Sequence, residues 1–150
     1  MMRTLFAFLL TVLSAPLWAG VDTGTDVNGV ILAGHDAVAY HTEGKAVEGS
    51  PKFTAVYNDA IYRFSSAGNR NLFKEAPEKY APAYGGYCAY GTALGKKFQV
   101  DGKAFQVVDG VLYVNKNQQV YKIWRKDIPG NLSKADEQWP NIVNTAADEL

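Results

Sequence analysis

The chain has 150 residues, with 15 Lys plus Arg against 15 Asp plus Glu and a formal net charge of zero. That balance gives no electrostatic pull toward nucleic acid or an anionic membrane surface, so neither is an expected partner. The single cysteine, Cys88, has no partner within the chain, which excludes an intrachain disulfide framework and leaves packing to hold the fold.

Residues 1–19 read as a cleavable secretory signal peptide. Arg3 supplies the positive start, Leu5 to Leu13 the apolar core, and Ala19 a small residue at the expected cleavage site. The apolar core falls short of the roughly 20 residues that a spanning helix needs, so no stable membrane anchor is expected after cleavage. Losing Arg3 leaves 14 basic against 15 acidic residues, a net charge of −1, in an exported domain that is periplasmic or secreted. Residues 20–33 then read as a mobile entry segment, and Gly34 to Pro140 as one domain.

Within the domain, Gly34 to Tyr40 suggests a tight turn or one helical turn. The run from Lys52 to Phe64 alternates around Asn58-Asp59 and predicts a β-hairpin. Ser66 is placed to cap a helix that buries Leu72 and Phe73 and stops at Pro77. Gly85-Gly86 marks a break before a second short helix that reaches about Leu94.

Asp109-Gly110 sits between two apolar β-rich runs, and that pattern is a strong short-range hairpin signal, because glycine tolerates the positive φ of a type I′ turn. A helix over about Lys116 to Lys126 follows, stopped by Pro129-Gly130. A last one runs from Ser133 to before Pro140, and residues 141–150 read as a frayed tail. The predicted class is α+β: a small antiparallel sheet built from two hairpins, packed with three to four short helices.

Tyr62-Arg63-Phe64-Ser65-Ser66, followed by Asn69, Phe73 and Pro77-Glu78-Lys79-Tyr80, resembles the YHS domain family. Three flanking blocks resemble those of its longer exported bacterial subgroup: Gly34 to Tyr40, Tyr84 to Tyr90, and Asp127 to Asn131. The resemblance implies heavy-metal association, as in copper-transporting ATPases, through paired thiolates. This chain has Ala39, Ser65 and Asn69 where the metal-associated versions carry cysteine. None of these is a soft donor for copper, so that role does not transfer to those positions. Some members of the subgroup are similar to this chain but carry selenocysteine at the position matching Cys88, which implies redox or soft-metal chemistry there. The resemblance also implies that the turn at Asp36 packs against Ser65 to Asn69.

Cys88 is therefore the candidate soft-metal ligand or reactive thiol, set against its plain alternative as a small buried hydrophobe. His35 and Asp36 are candidate second donors to copper or another soft metal. Their plain readings are an exposed loop histidine and a turn-maker that accepts backbone N–H groups. His41 also reads as an exposed loop histidine, and Lys96-Lys97 as solvated charges. Tyr40, Tyr62 and Tyr87 are expected to wall a cleft shared by Cys88, His35 and Asp36. Three functions stay open: a metal-handling or metal-sensing module, a thiol redox protein without a resolving cysteine, and a non-catalytic domain that binds a small ligand or a protein in a tyrosine-rich cleft. No other catalytic constellation is legible.

Overall fold

The computed structural model describes residues 21–150, so the signal-peptide reading lies outside the described residues. Among the described residues no helix is long and apolar enough to cross a membrane. The elements are helix α1 (Ala37–Thr42), hairpin β1 (Ser50–Tyr57) and β2 (Ala60–Phe64), then helices α2 (Ala67–Glu75), α3 (Pro77–Tyr80) and α4 (Ala89–Ala93). Hairpin β3 (Phe105–Val108) and β4 (Val111–Val114) follows, then helices α5 (Gln118–Trp124) and α6 (Ile128–Ile142). The α+β class stands. The two hairpins, however, form two separate two-stranded antiparallel sheets rather than one.

Local chemistry accounts for the hairpins. Asn58 and Asp59 take positive φ of 47° and 59°, and Asp109 and Gly110 take 49° and 78°. Both pairs therefore make the type I′ turn whose twist matches paired strands. The sheets stay apart because other backbone reaches their edges. Val30 bridges to Ile61 of β2, with Ile61 N–H donating to the Gly29 carbonyl at 2.8 Å, and Pro82 bridges to Leu112 of β4.

Strand β4 joins two cores through its alternation. Leu112 and Val114 enter the larger one, with Ile31, Val38, Tyr40, Tyr62, Phe64 and Phe73. Tyr113 packs on the smaller one, built from Tyr84, Ala89, Ala93, Trp124 and Ala135.

Several boundaries differ from those the sequence predicts. Pro129 does not stop a helix but starts one: it lies in the first turn of α6, where its missing N–H has no role. Asp127 caps that turn through the Gly130 N–H at 3.0 Å. The helix then runs through Pro140 to Ile142, into the expected tail. On α2 the Ser66 cap is as predicted, and Phe73 is buried, but Leu72 is 43% exposed. A nine-residue helix here turns one large side chain into the core, where Phe73 meets the rings of Tyr62 and Phe64 at 4.4 and 5.1 Å.

The expected mobile entry is tied down. Gly24 N–H donates to the Gly85 carbonyl at 2.8 Å, Thr25 bridges to Ile31, and Val30, Ile31 and Leu32 are buried. Gly85 makes this approach possible at φ 59°, because a Cβ there would collide with the Asp22 carbonyl.

Asp36 does pack against Ser65 and Asn69, and it does so through its carboxylate. Oδ1 caps α1 by accepting from the N–H groups of Val38 and Ala39 at 2.9 and 3.2 Å. Oδ2 accepts from Ser65 N–H at 2.8 Å, Ser65 Oγ at 2.7 Å and Asn69 Nδ2 at 2.8 Å. Removing a buried acceptor strands its donors at about 1–3 kcal/mol each. Asp36→Ala is therefore expected to lower stability by at least about 3 kcal/mol, read as a fall in thermal midpoint on the order of 10 °C. A fall of only a degree or two would show that the carboxylate is dispensable.

Candidate functional site

Cys88 occupies the N-cap of α4 and is wholly buried. Its sulfur accepts from Gly91 N–H at 3.4 Å and Lys116 N–H at 3.3 Å, and its S–H faces Asn115 Oδ1 at 3.5 Å. That oxygen also accepts from Tyr90 N–H at 3.1 Å, while Asn115 Nδ2 has no partner among the described residues. Phe98 adjoins the site: its carbonyl accepts from Cys88 N–H at 3.0 Å, and its ring lies against Gly91.

Burial pushes the Cys88 thiol above its ordinary pKa. The N–H groups of Gly91, Lys116 and Tyr90, and the Lys116 charge, pull the other way but do not offset the lost solvation. The group is thus a protonated thiol spent on capping, where the sequence left open a reactive one.

His35 is buried rather than exposed, at 5% accessibility. Its Nδ1 lies 3.0 Å from the Leu32 carbonyl, which only accepts, so Nδ1 carries the proton. Nε2 has no partner among the described residues. His41 is half-buried in the last turn of α1, edge-on to the Tyr80 ring at 5.5 Å, and desolvation holds its pKa below the usual imidazole value.

Asp36 has no oxygen to spare, since both accept hydrogen bonds. Cys88, His35 and Asp36 share no hydrogen bond, and among the described residues no group of three His, Cys, Asp or Glu side chains is placed to hold a metal ion.

The tyrosines also separate. Tyr40 is buried, its hydroxyl donating to the Gly102 carbonyl at 2.5 Å, and Tyr87 donates to the Val21 carbonyl at 3.2 Å. Neither walls a cleft with Cys88. Tyr62 does line a cleft, but with different neighbours: Tyr57, Asn58, Asp22, Thr23 and Trp139 border a space of about 230 Å³. The Tyr57 and Tyr62 rings lie 6.5 Å apart, and burial, reinforced by Tyr57, pushes the Tyr62 phenol well above its usual pKa. It stays a neutral hydroxyl.

Thr23 is 6% exposed, and its hydroxyl has no partner among the described residues. A buried hydroxyl without a hydrogen bond costs roughly 1–3 kcal/mol. A second hollow of about 530 Å³, bordered by Thr25, Val27 and Gln99, is a wider trough rimmed by the fully exposed Val27 and holds no such orphaned group.

Lys97 shapes the cleft from behind and corrects a further expectation. It is 4% exposed, not solvated. Its ammonium donates to the carbonyls of Val21, Val143 and Thr145 at 2.8, 2.9 and 2.7 Å. It also lies over the rings of Tyr87 and Trp139 at 5.2 and 5.4 Å. Val143 borders the cleft, and Val21 precedes Asp22. One cation therefore ties the entry segment to the end of α6 at the cleft wall. Thr23 and Lys97 escape a sequence reading because nothing local distinguishes them from loop polar residues.

The thiol supplies a prediction with a sign. The folded state holds the Cys88 proton more tightly than the unfolded state does. Its contribution to stability is thus complete below the ordinary thiol pKa of about 8.5 and falls as pH rises past it. Native protein is expected to react with a thiol reagent at pH 8 at least about 100-fold more slowly than urea-unfolded protein; equal rates would show an accessible thiolate. No family model matches this chain, and no curated protein or solved structure matches it either.

Proposed function

We propose that the domain is a non-catalytic binding module whose ligand occupies the cleft between the entry segment, the first hairpin and the end of α6. One observation carries the reading: a concave space of about 230 Å³ is bordered by Tyr57, Tyr62 and Trp139 together with the polar residues Asp22, Thr23 and Asn58. Ligands bind in concave spaces where polar groups converge, and here Asp22, Thr23 and Asn58 come together beside the tyrosines. Cys88 supports the same reading by what it already does, since its sulfur holds the start of α4 and loses solvation in doing so.

Handling of copper or another soft metal, and thiol redox chemistry, both require the Cys88 sulfur to leave its cap and reach solvent. A reducing Cu(I) titration separates these readings from the cleft. No binding is expected beyond that of the Cys88→Ser variant, and tight binding lost in that variant would overturn the cleft as the functional centre.

The direct test is an NMR screen of the protein against small polar molecules. Amide shifts from ligands that bind are expected to cluster at Thr23, Asn58, Tyr62 and Gly85. Tyr57→Ala is expected to weaken binding at least about tenfold, a cost near 1.4 kcal/mol, while Cys88→Ser leaves it unchanged. The reverse pattern, with loss on Cys88→Ser and none on Tyr57→Ala, would sink the proposal.

A further inference from the structure

The two cores differ in the chemistry of their rings. Around the larger one, Tyr57, Tyr62 and Phe64 all meet Phe73, and Tyr40 meets Phe105, so phenylalanine, which resists one-electron oxidation, sits within each group. The smaller core carries an unbroken run of tyrosine and tryptophan, the aromatic side chains that release a single electron most readily. Tyr87, Trp139, Tyr84, Tyr113, Trp124 and Tyr121 follow one another with ring centroids 6.4, 6.0, 5.9, 5.9 and 6.2 Å apart. Rings at this spacing are in packing contact, so an electron vacancy on one can pass to the next.

Charges are placed unevenly along the run. At one end the Lys97 ammonium lies over the rings of Tyr87 and Trp139 at 5.2 and 5.4 Å, and at the other the Arg125 guanidinium lies over Tyr121 at 5.5 Å. A cation over a ring makes loss of an electron there harder, because two positive charges are left in contact. In the middle the Tyr84 hydroxyl donates to Asp136 Oδ1 at 2.8 Å, and the same carboxylate acts on Tyr113. A positive vacancy is thus repelled from both ends and drawn to the centre.

Where the vacancy settles depends on the proton. An oxidised phenol is a strong acid and becomes a neutral radical where a base takes its proton. Among the described residues Tyr84 is the one tyrosine of the run bonded to a carboxylate, whereas Tyr87 and Tyr121 donate to the weakly basic Val21 carbonyl and Gln106 Oε1. Trp124 is wholly buried and its Nε1–H has no partner among the described residues, so it can pass a vacancy on but cannot shed its proton. Burial, with the Asp136 carboxylate, pushes the Tyr84 phenol well above its usual pKa, so the hydroxyl keeps its proton until an electron leaves.

We infer that this run is a relay for one-electron oxidation: a one-electron oxidant at the surface takes an electron from Tyr121 or Trp139, and the vacancy passes ring to ring and rests on Tyr84 as a neutral tyrosyl radical. The oxidant gains one electron, the Tyr84 O–H bond breaks, and its proton moves to the Asp136 carboxylate. Asp136 is exposed and returns the proton to water. A reductant of the ascorbate class, supplying one electron and one proton, restores the phenol.

The test places the oxidant at one end. Lys122, exposed and next to Tyr121, is replaced in Lys122→Cys and labelled with a ruthenium polypyridyl complex, while the buried Cys88 stays unlabelled. Flash oxidation of the label by a dissolved electron acceptor then supplies ruthenium(III). Electron paramagnetic resonance after rapid freezing is expected to show a tyrosyl radical that Tyr84→Phe removes. Tyr113→Phe keeps the ring packing and Asp136→Asn keeps an acceptor that is not a base, and each is expected to slow the appearance of the radical at least about tenfold. The thermal midpoint of each variant separates a lost relay from a lost fold. A tyrosyl signal unchanged in Tyr84→Phe would overturn the assignment of the resting site. An unchanged rate in either of the other two variants, or no protein radical in the labelled chain, would overturn the relay.

Discussion

The Asp36 carboxylate is the interaction on which the first half of the domain depends. It lies wholly out of solvent, where an ionised group survives only if its lost hydration is replaced by directed donors. Five donors do this, two from the first turn of α1 and three from Ser65 and Asn69. One side chain thereby fixes the position of α1 against the junction where β2 passes into α2. Phe64 and Phe73 flank that junction on either side, so the aromatic packing of the larger core is placed by a polar contact. Ser65 and Asn69 both serve the carboxylate, so these positions brace the fold.

The second half depends on a cation in a comparable role. Lys97 offers three N–H donors, and three backbone carbonyls take them. Burial pulls its pKa below the usual lysine value, so holding the charge there costs free energy that the carbonyl contacts and the Tyr87 and Trp139 rings offset only in part. The arrangement joins the entry segment to the end of α6, two stretches more than 100 residues apart in sequence. A residue that costs solvation yet holds both ends of the domain at one place has its value in geometry, and that place is the cleft wall.

The features legible in the sequence were those set by nearest neighbours. The turns at Asn58-Asp59 and Asp109-Gly110 and the Ser66 cap follow from the conformations of two or three residues. The packing of Asp36 on Ser65 and Asn69, across about 30 residues, was expected from a resemblance alone, since no local pattern signals it. Pro129 misled because proline signals a helix boundary without saying which side of it the helix lies on. The burial of Lys97 and His35 was hidden for a different reason. Each depends on elements distant in sequence, and a lysine beside another lysine carries no local mark of being enclosed. Thr23 was illegible in the same way, since its segment looks like a mobile leader until Gly85 lets it pack.

Cys88 attracts a functional reading because it is alone, yet its surroundings give it structural work that a thiol is unusual in performing. The cap at α4 needs a buried acceptor for Gly91 N–H and Lys116 N–H, and a donor toward Asn115 Oδ1. A thiol supplies both at little desolvation cost while protonated. Thiolate formation would add charge to a buried site, which is why burial outweighs the three N–H groups directed at the sulfur. Because the cleft is bordered by the entry segment, the first hairpin and the end of α6, any molecule that fills it bridges the two stretches that Lys97 holds. Binding and the docking of those ends are therefore coupled, and a ligand that recognises the closed cleft stabilises the whole domain by mass action.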